Sequence, residues 1–298
     1  MLAKSTIKFV RDWLWRLGET APQIAKLCLA TVYPFPRLYG FVAKSAKLTR
    51  VAEGRVWHIR SGPLSGFQLT RLLPDEIWPV LSNSMEIRCS NAIARLPLKN
   101  GIALDIGGSY GYYALLLSRL VGEAGHVYCF EPDWHSFERL TQNLALNDRK
   151  NVLAVPICIS NLSAGMVKWQ SSDDQPWNSR MADPSQAASS PHLTAVPVTT
   201  LDEFVNVLGI TKRIQLIKID VEGAELEVLQ GSVALLRNSR PPILCELHGA
   251  DTAQRVFEFL ERLEYQWEKI EYMSETRQHI LAFASEQATY LRSLILSK

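Results

Sequence analysis

From residue 102 onwards, short apolar runs alternate with longer segments in which apolar residues recur every three or four positions. The clearest short runs are IALDI (102–106), VYCFE (127–131) and IQLIKID (214–220), each followed by a helical pattern. Strands that alternate with helices form right-handed βαβ units, and such units build a parallel sheet. The alternation therefore predicts an α/β fold in which ligands bind beyond the C-terminal ends of the strands.

The composition of the 298-residue chain fits such a fold. Hydrophobic residues make up 47% and charged residues 21%, which excludes a disordered, collagen-like or membrane-spanning chain. A formal net charge of +2 argues against a surface built for nucleic acid. The total hides an asymmetry, because residues 1–62 hold 11 Lys or Arg against 3 Asp or Glu, whereas residues 63–298 hold 21 against 27.

The cysteines are scattered and form no CxxC pair. They are Cys28, Cys89, Cys129, Cys158 and Cys245. An odd number without paired spacing predicts a reducing compartment and neither a disulfide framework nor a structural zinc site. Because the chain also lacks an apolar stretch typical of a signal peptide or a membrane span, we expect a cytoplasmic protein.

The chain divides into three predicted parts. Residues 1–50 form a basic helical arm, residues 51–100 form a short β-hairpin and helix as a lead-in, and residues 101–298 form the α/β domain. The apolar stripe of the arm is expected to pack on this domain or on a second subunit, and the alternative is peripheral contact with an anionic membrane. Residues 171–194 are rich in Ser, Pro, Asp and Ala, which predicts a long surface loop over a site.

A glycine-rich turn follows the first strand of the domain. It contains Asp105, Gly107, Gly108, Ser109 and Gly111. Glycines permit a tight turn, and the helix behind them presents free N–H groups to a ligand. Glu131, which precedes Pro132, ends the next strand at the position where a carboxylate accepts hydrogen bonds from a ribose diol. This order of elements predicts nucleoside binding.

The spacing of the glycines favours S-adenosylmethionine (SAM) over NAD as the nucleoside. A dinucleotide fingerprint reads GxGxxG, whereas this turn reads GGxxG. Asp105 stands two residues before the first glycine, where it is suited to hold an amino-bearing ligand or to order the loop. SAM is therefore the predicted cofactor, and an NAD-dependent oxidoreductase is the less favoured alternative.

Two further strand ends carry acidic and histidine residues. Asp220 ends the strand predicted beside the first one, and Glu222 follows it in IKIDVEGAE. Glu246 and His248 lie in LCELH, where the two-residue period of a strand puts both side chains on one face. Each residue alone has a structural explanation, such as a favourable helix dipole for Glu222 and for Glu225 of the same segment. Their coincidence at one sheet edge favours a functional site.

The chain resembles the FkbM-type SAM-dependent methyltransferases. The similarity covers roughly residues 100–250 and is carried by LDIGGSYGYYALLLSRL, FEPDWHSFERLTQNLALN, VPVTTLDEF, IKIDVEGAELEVLQG and ILCELHG. It implies a Rossmann-like class I methyltransferase fold, a seven-stranded, mostly parallel sheet whose last strand is antiparallel. It also implies that the loop from Asp105 to Gly111, with Glu131 and Pro132, binds SAM and that Asp220 lies at the methyl-donor end.

The resemblance further implies O-methylation of a sugar, glycolipid or secondary metabolite. Because a sulfonium methyl group is already activated, positioning supplies most of the rate, and a base adds about 10²–10⁴-fold. The candidate bases are His248, Asp220 and Glu222, in that order. A divalent metal on Asp220, Glu222, Glu246 or His248 is a minority expectation. The competing hypothesis from another class is a non-catalytic binding or scaffold protein that retains the fold, and no nucleic-acid partner is expected.

Overall fold

The computed structural model describes residues 55–171, 179–181, 193–210, 213–274 and 277–296. The predicted arm, residues 1–50, and most of the predicted loop over 171–194 lie outside these ranges. The chain forms two compact units, Met1–Ile87 and Arg88–Lys298.

The described part of the first unit is built on a small hairpin. Strand β1 (Val56–His58) pairs antiparallel with β2 (Gln68–Thr70), which confirms the two short strands predicted around the SGPLSG turn. Helix α1 (Pro74–Leu81) follows. Trp57 and Leu69, register partners in the hairpin, are both buried because they share the same apolar face.

The second unit contains the long alternating pattern. Its strands are β3 (Ile102–Ile106), β4 (His126–Phe130), β5 (Val152–Val155), β6 (Cys158–Ile159), β7 (Gly165–Gln170), β8 (Arg180–Met181), β9 (Leu193–Thr199), β10 (Ile214–Ile219), β11 (Ile243–His248), β12 (Tyr265–Ser274) and β13 (Arg277–Ala284). Its helices are α2, which spans Ile87–Ala94 and so begins at the boundary, α3 (Tyr112–Val121), α4 (Trp134–Leu146), α5 (Leu201–Val207), α6 (Glu225–Gln230), α7 (Val233–Asn238), α8 (Ala250–Arg262) and α9 (Ala288–Leu296).

The main sheet has seven strands in the order β12-β13-β11-β10-β3-β4-β5. The pairs β10–β11, β10–β3, β3–β4 and β4–β5 are parallel, whereas β13 runs antiparallel to both of its neighbours. This arrangement confirms the predicted mostly parallel sheet with an antiparallel last strand. All five residues of β3 are buried, as expected for a central parallel strand whose two faces are both covered.

Two predicted elements differ from the structure, and strand β7 is an addition to the prediction. The run VLAVPICIS is not one strand, because Pro156 lacks a backbone N–H and separates β5 from β6, which belongs to another sheet. The predicted helix AELEVLQGSVALLR is two helices, because the chain turns at Gly231, where a Cβ would lie 2.0 Å from the Ser160 carbonyl oxygen. Strand β7, in which Met166 and Lys168 are exposed and Trp169 is buried, was not predicted.

Strand β7 belongs to a second sheet of four strands, in the order β6-β9-β7-β8. Trp169, Val196 and Val198 form its small buried cluster with Cys158. The predicted surface loop over 171–194 is wrong where the structure describes it, because β8 and the start of β9 lie in this stretch. Cross-strand pairing with β7 supplies their order, and no local apolar pattern signals it.

Candidate active site

A polar row crosses one face of the main sheet at the C-terminal ends of its parallel strands. Lys218 on β10 is the register partner of Asp105 on β3, and His248 on β11 is the register partner of Arg277 on β13. Register partners point to the same face of a sheet, and so do residues two apart on one strand. The row can be divided into a glycine-loop cluster (Asp105, residues 107–111 and Glu131) and a histidine cluster (Glu222, Glu225, Glu246, His248, Arg277 and His279).

The glycine loop is a tight turn that touches a neighbouring strand end. The backbone N–H groups of Gly107 and Gly108 both donate to the Phe130 carbonyl, at 2.9 and 3.0 Å. Gly107 has a φ of +82°, and a Cβ there would lie 1.8 Å from the backbone oxygen of Asp220. Only glycine adopts this φ readily and has no Cβ to clash with Asp220, so the contact between the glycine loop and the Asp220 loop requires glycine at position 107.

Glu131 lies against this loop and is 6% exposed. Its carboxylate accepts hydrogen bonds from the Ser109 N–H at 2.7 Å and from the Asp133 N–H at 2.9 Å. Burial raises the pKa of Glu131 to about 7, although the two backbone hydrogen bonds oppose this change. Pro132 is partly exposed beside it. The structure thus brings the acid that the sequence singled out for a ribose next to the glycine turn.

Asp105 is fully buried and contacts a lysine that the sequence analysis missed. Lys218 Nζ lies 3.5 Å from Asp105 Oδ1, 3.4 Å from Asp220 Oδ2, and donates to the Gly107 carbonyl at 2.8 Å. The Cys129 thiol donates to Asp105 Oδ2 at 3.4 Å. These contacts favour a loop-ordering role for Asp105. The sequence does contain a signal that could have identified Lys218, because it is a cationic residue inside the otherwise apolar end of a strand.

His248 is held by three carboxylates. Its Nδ1 is 2.8 Å from Glu225 Oε1, and its Nε2 is 3.3 Å from Glu222 Oε2 and 3.5 Å from Glu246 Oε1. Burial by itself would lower the pKa of His248, but the hydrogen bonds to Glu225 and Glu246, with the nearby charge of Glu222, raise it to about 10. The imidazole is therefore a cation near neutral pH.

Glu222 lies at the open side of the histidine cluster, with 22% of its side chain exposed. Its backbone φ is +52°, an unfavourable conformation for a residue other than glycine and one that is concentrated at functional sites. Burial raises the pKa of Glu222 to about 7. The charge of His248 opposes this shift, and the charge of Asp220 adds to it. Glu222 therefore changes between its acid and base forms near neutral pH.

Glu246 forms the buried base of the histidine cluster and is 1% exposed. It accepts a hydrogen bond from Arg277 Nε, and its Oε2 lies 3.1 Å from His279 Nε2. Burial opposes ionisation, but hydrogen bonds with His248, His279 and Arg277 hold the pKa of Glu246 well below its usual range. Sequence reasoning missed Arg277 and His279 and gave Glu225 only a helix-dipole role, because their contacts depend on strand register.

Three of the predicted metal candidates do lie together. Ligand atoms of Asp220, Glu222 and His248 are all within 4.8 Å of one another, so this group could hold a divalent ion. Cationic side chains of the protein lie near two of these carboxylates. Lys218 Nζ is 3.4 Å from Asp220, and Arg277 Nη2 is 4.0 Å from Glu222.

Comparison with known proteins identifies the family of this chain. Residues 105–269 match the model of the methyltransferase FkbM domain, more than half of the chain. The chain belongs to the FkbM methyltransferase family. The resemblance drawn from the motifs is thereby confirmed, and so is the prediction of a SAM-dependent methyltransferase with a Rossmann-like fold. Most of the polar row lies inside the matched range, and Arg277 and His279 follow it.

Relatives of the FkbM domain include two curated methyltransferases and a solved structure. The chain is 26% identical over 179 residues to the hexuronic acid methyltransferase AglP of Haloferax volcanii, covering 58% of this chain and 67% of that protein. It is 31% identical over 165 residues to the methyltransferase sdnD of Sordaria araneosa, covering 47% and 62%. A methyltransferase FkbM from Methylobacillus flagellatus KT superposes with a TM-score of 0.47 at 15% identity, covering 91% and 60%. The chain thus spans about two thirds or less of these relatives.

Among the described residues, no helix of this FkbM-family chain combines the length and the apolar character that crossing a bilayer requires.

Proposed function

We propose that this FkbM-family protein transfers the methyl group of SAM to a hydroxyl group of a sugar-like acceptor. The observation that carries the proposal is the Glu222–His248 pair, 3.3 Å apart, at the sheet edge beside Asp220. A carboxylate whose pKa is about 7 suits the removal of a hydroxyl proton at neutral pH. A sugar acid is the first acceptor class to test, because one relative is named a hexuronic acid methyltransferase.

The glycine-loop cluster is the proposed SAM site. A Cβ at Gly108 would lie 2.2 Å from Cys129 Sγ and 3.3 Å from Leu140 Cδ2, so glycine lets the loop pack closely against β4 and α4. Glu131, with Pro132 beside it, would bind the ribose, and Asp105 with Lys218 would hold the loop in shape. When bound there, SAM supplies a methyl group on a positively charged sulfur that needs no further activation. Asp220 is proposed to lie at the methyl-donor end.

Glu222 is the proposed general base, and His248 orients it. Because the pKa of His248 is about 10, its ring holds a proton at neutral pH and places a positive charge 3.3 Å from Glu222. This reverses the order suggested by the sequence, in which His248 was the first candidate base. In the proposed step, the acceptor hydroxyl releases its proton to the Glu222 carboxylate as its oxygen becomes methylated. The rate should therefore rise with pH through about 7.

The transfer is proposed to proceed without a metal. Lys218 and Arg277 already bring positive charge to Asp220 and Glu222, at 3.4 and 4.0 Å, where a divalent ion would otherwise be needed. O-methylation accordingly relies on positioning and on the carboxylate base rather than on a Lewis acid.

The test is an assay of the purified full chain with methyl-labelled SAM. Acceptors are glucuronide and galacturonide glycosides and the matching neutral glycosides, and the methylated position is assigned by NMR. A methyl ether on a sugar hydroxyl supports the proposal, whereas a methyl ester on the carboxyl group contradicts it. SAM binding measured by calorimetry without turnover of any acceptor would favour a binding protein that retains the fold.

Glu222→Gln is the decisive variant, and Glu227→Gln in helix α6 is its matched control. The amide cannot accept the proton, so kcat should fall by about 10²–10³-fold while SAM binding is retained. Glu227 lies outside the histidine cluster, so its variant should keep the wild-type kcat. If Glu222→Gln keeps more than about a third of the wild-type kcat, Glu222 is not the base.

A further inference from the structure

Lys218 connects the two clusters and has no part in the proton transfer proposed above. It is 4% exposed and lies on β10, the strand between the glycine-loop strand β3 and the histidine strand β11. A buried ammonium group is unfavourable unless charges and hydrogen bonds compensate it. Its position therefore calls for an explanation from its neighbours.

Those neighbours belong to two different loops. On the glycine-loop side, Lys218 Nζ donates to the Gly107 carbonyl at 2.8 Å and lies 3.5 Å from Asp105 Oδ1. On the other side, it lies 3.4 Å from Asp220 Oδ2. The Tyr113 ring, with its centroid 5.1 Å from Nζ, adds a cation–π contact from helix α3.

The same two loops also meet through their backbones. The Asp220 N–H donates to the Ile106 carbonyl at 3.0 Å, and the Asp220 carbonyl occupies the space where a side chain at Gly107 would stand. Without the Lys218 charge, the buried carboxylate of Asp105 and that of Asp220 would repel each other across this joint. The ammonium group converts that repulsion into a bridge.

We propose that Lys218 is a positioning residue that sets the distance between the cofactor site and the base. It holds the glycine loop with one set of contacts and the start of the Asp220–Glu222 turn with the other. The proposal rests on the function proposed above, because alignment matters only if the two sites act on one reaction. Displacements of about 1 Å between reacting groups can lower a rate by 10²-fold, so a joint of this kind acts on kcat.

The test is a mutational cycle on the full chain with Lys218→Met, Asp105→Asn and the double variant. Lys218→Met alone has two effects, because it removes the proposed positioning contacts and also leaves the carboxylates of Asp105 and Asp220 without a compensating charge. In the Asp105→Asn background, one of these two carboxylates is already neutralised. In that background we expect Lys218→Met still to lower kcat by at least about 10-fold, with the acceptor KM changed less than about threefold. Lys269→Met, an exposed lysine on β12 of the same sheet, is the matched control and should leave kcat unchanged.

Two readouts separate positioning from folding. Lys218→Arg keeps the charge but changes the geometry, so it should fold like wild type, bind SAM within about threefold and lose about 3–10-fold in kcat. Hydrogen exchange should rise in residues 105–111 and 220–224 together in Lys218→Met, because the bridge joins them.

The outcomes distinguish this proposal from the proposed function. If wild type methylates an acceptor but Lys218→Met in the Asp105→Asn background keeps kcat within about threefold, Lys218 only balances charge and the positioning role is wrong. Unchanged exchange in one of the two loops overturns it as well. If wild type methylates none of the sugars, the proposed function fails, and the exchange experiment still decides whether Lys218 joins the loops.

Discussion

Glu131 and Glu246, one carboxylate from each cluster of the candidate active site, have pKa values that are shifted in opposite directions. Glu131 in the glycine-loop cluster has backbone N–H groups as its hydrogen-bond donors, whereas Glu246 in the histidine cluster is paired with Arg277, His279 and His248. Both carboxylates are almost completely buried. The pKa of Glu131 is nevertheless raised to about 7, whereas that of Glu246 is lowered.

This contrast teaches that burial alone does not decide the charge state of a site residue. Neutral donors offset only part of the free energy lost when a carboxylate leaves water, whereas the charges of Arg277 and His248, with the contact to His279, together exceed it. In the glycine-loop cluster, the charge of Glu131 therefore changes near neutral pH. In the histidine cluster, Glu246 keeps its charge at neutral pH, whereas the pKa of Glu222 is about 7.

The largest expected effect comes from breaking the contact between the two clusters. Gly107→Ala would put a Cβ 1.8 Å from the Asp220 backbone oxygen, in addition to the strain of a φ of +82°. Because backbone must move on both sides, we expect kcat/KM to fall by at least about 10³-fold. Methyl-transfer kinetics and thermal unfolding measure the effect.

Gly122→Ala is the control for this substitution. Gly122 also has a positive φ, +71°, but nothing lies within 4 Å of a Cβ there. With a ψ of −179°, Gly122 has a conformation that essentially only glycine adopts, so the variant should lose about 1–3 kcal/mol of stability but keep wild-type kinetics. Equal kinetic losses in the two variants would show that the contact with Asp220 is unimportant.

The next effect tests the fixed charge network. Glu246→Gln leaves Arg277, His279 and His248 without their shared carboxylate, so the free energy of unfolding at pH 7 should fall by about 3–5 kcal/mol. The lowered pKa means that this stabilisation is present above the ordinary value of 4.5 and is lost as the pH falls. Urea unfolding at pH 7 and pH 4 should show the difference from wild type shrinking at the lower pH.

A surface ion pair provides the reference for Glu246→Gln. Glu268 lies 2.6 Å from Arg292 Nε, with 31% and 38% of the two side chains exposed. Glu268→Gln should change the free energy of unfolding by less than about 1 kcal/mol. A loss of similar size at both positions would refute the contrast between buried and exposed pairs.

A smaller effect with the opposite sign is expected at Glu131. Its raised pKa means that the protonated side chain stabilises the fold below about pH 4.5, and that this contribution is lost as the pH rises through about 7. Glu131→Gln, which stays neutral, should therefore gain stability relative to wild type between pH 4.5 and pH 8, by up to about 3 kcal/mol. Urea titrations across this range measure the trend, with the exposed Glu123→Gln as a flat reference.

The smallest expected effect concerns metal. If Lys218 and Arg277 supply the positive charge at Asp220 and Glu222, then excess EDTA should change the initial rate by less than about twofold. Full loss of activity, restored by Mg²⁺ or Mn²⁺, would instead assign a metal to Asp220, Glu222 and His248 and would remove the base role from Glu222.

The glycine-loop cluster could be predicted because its parts are local in sequence. The strand, the glycine turn and Glu131 lie within residues 102–131, and each part has a composition typical of its conformation. Asp220, Glu222, Glu246 and His248 were also found, from the ends of apolar runs. Their charge states were not, because the pKa of His248 depends on Glu225, which lies 23 residues away.

What the sequence alone determined is the alternation of strands and helices in the main sheet, the antiparallel last strand implied by the family resemblance, and the glycine turn that we propose as the SAM site. Tertiary structure decided which charges meet. Lys218 faces Asp105, and Glu246 faces His279, only because of the register of neighbouring strands. Hydrophobic periodicity is encoded within one segment, whereas register is set by packing among several, so pairs across strands become visible only in the folded chain.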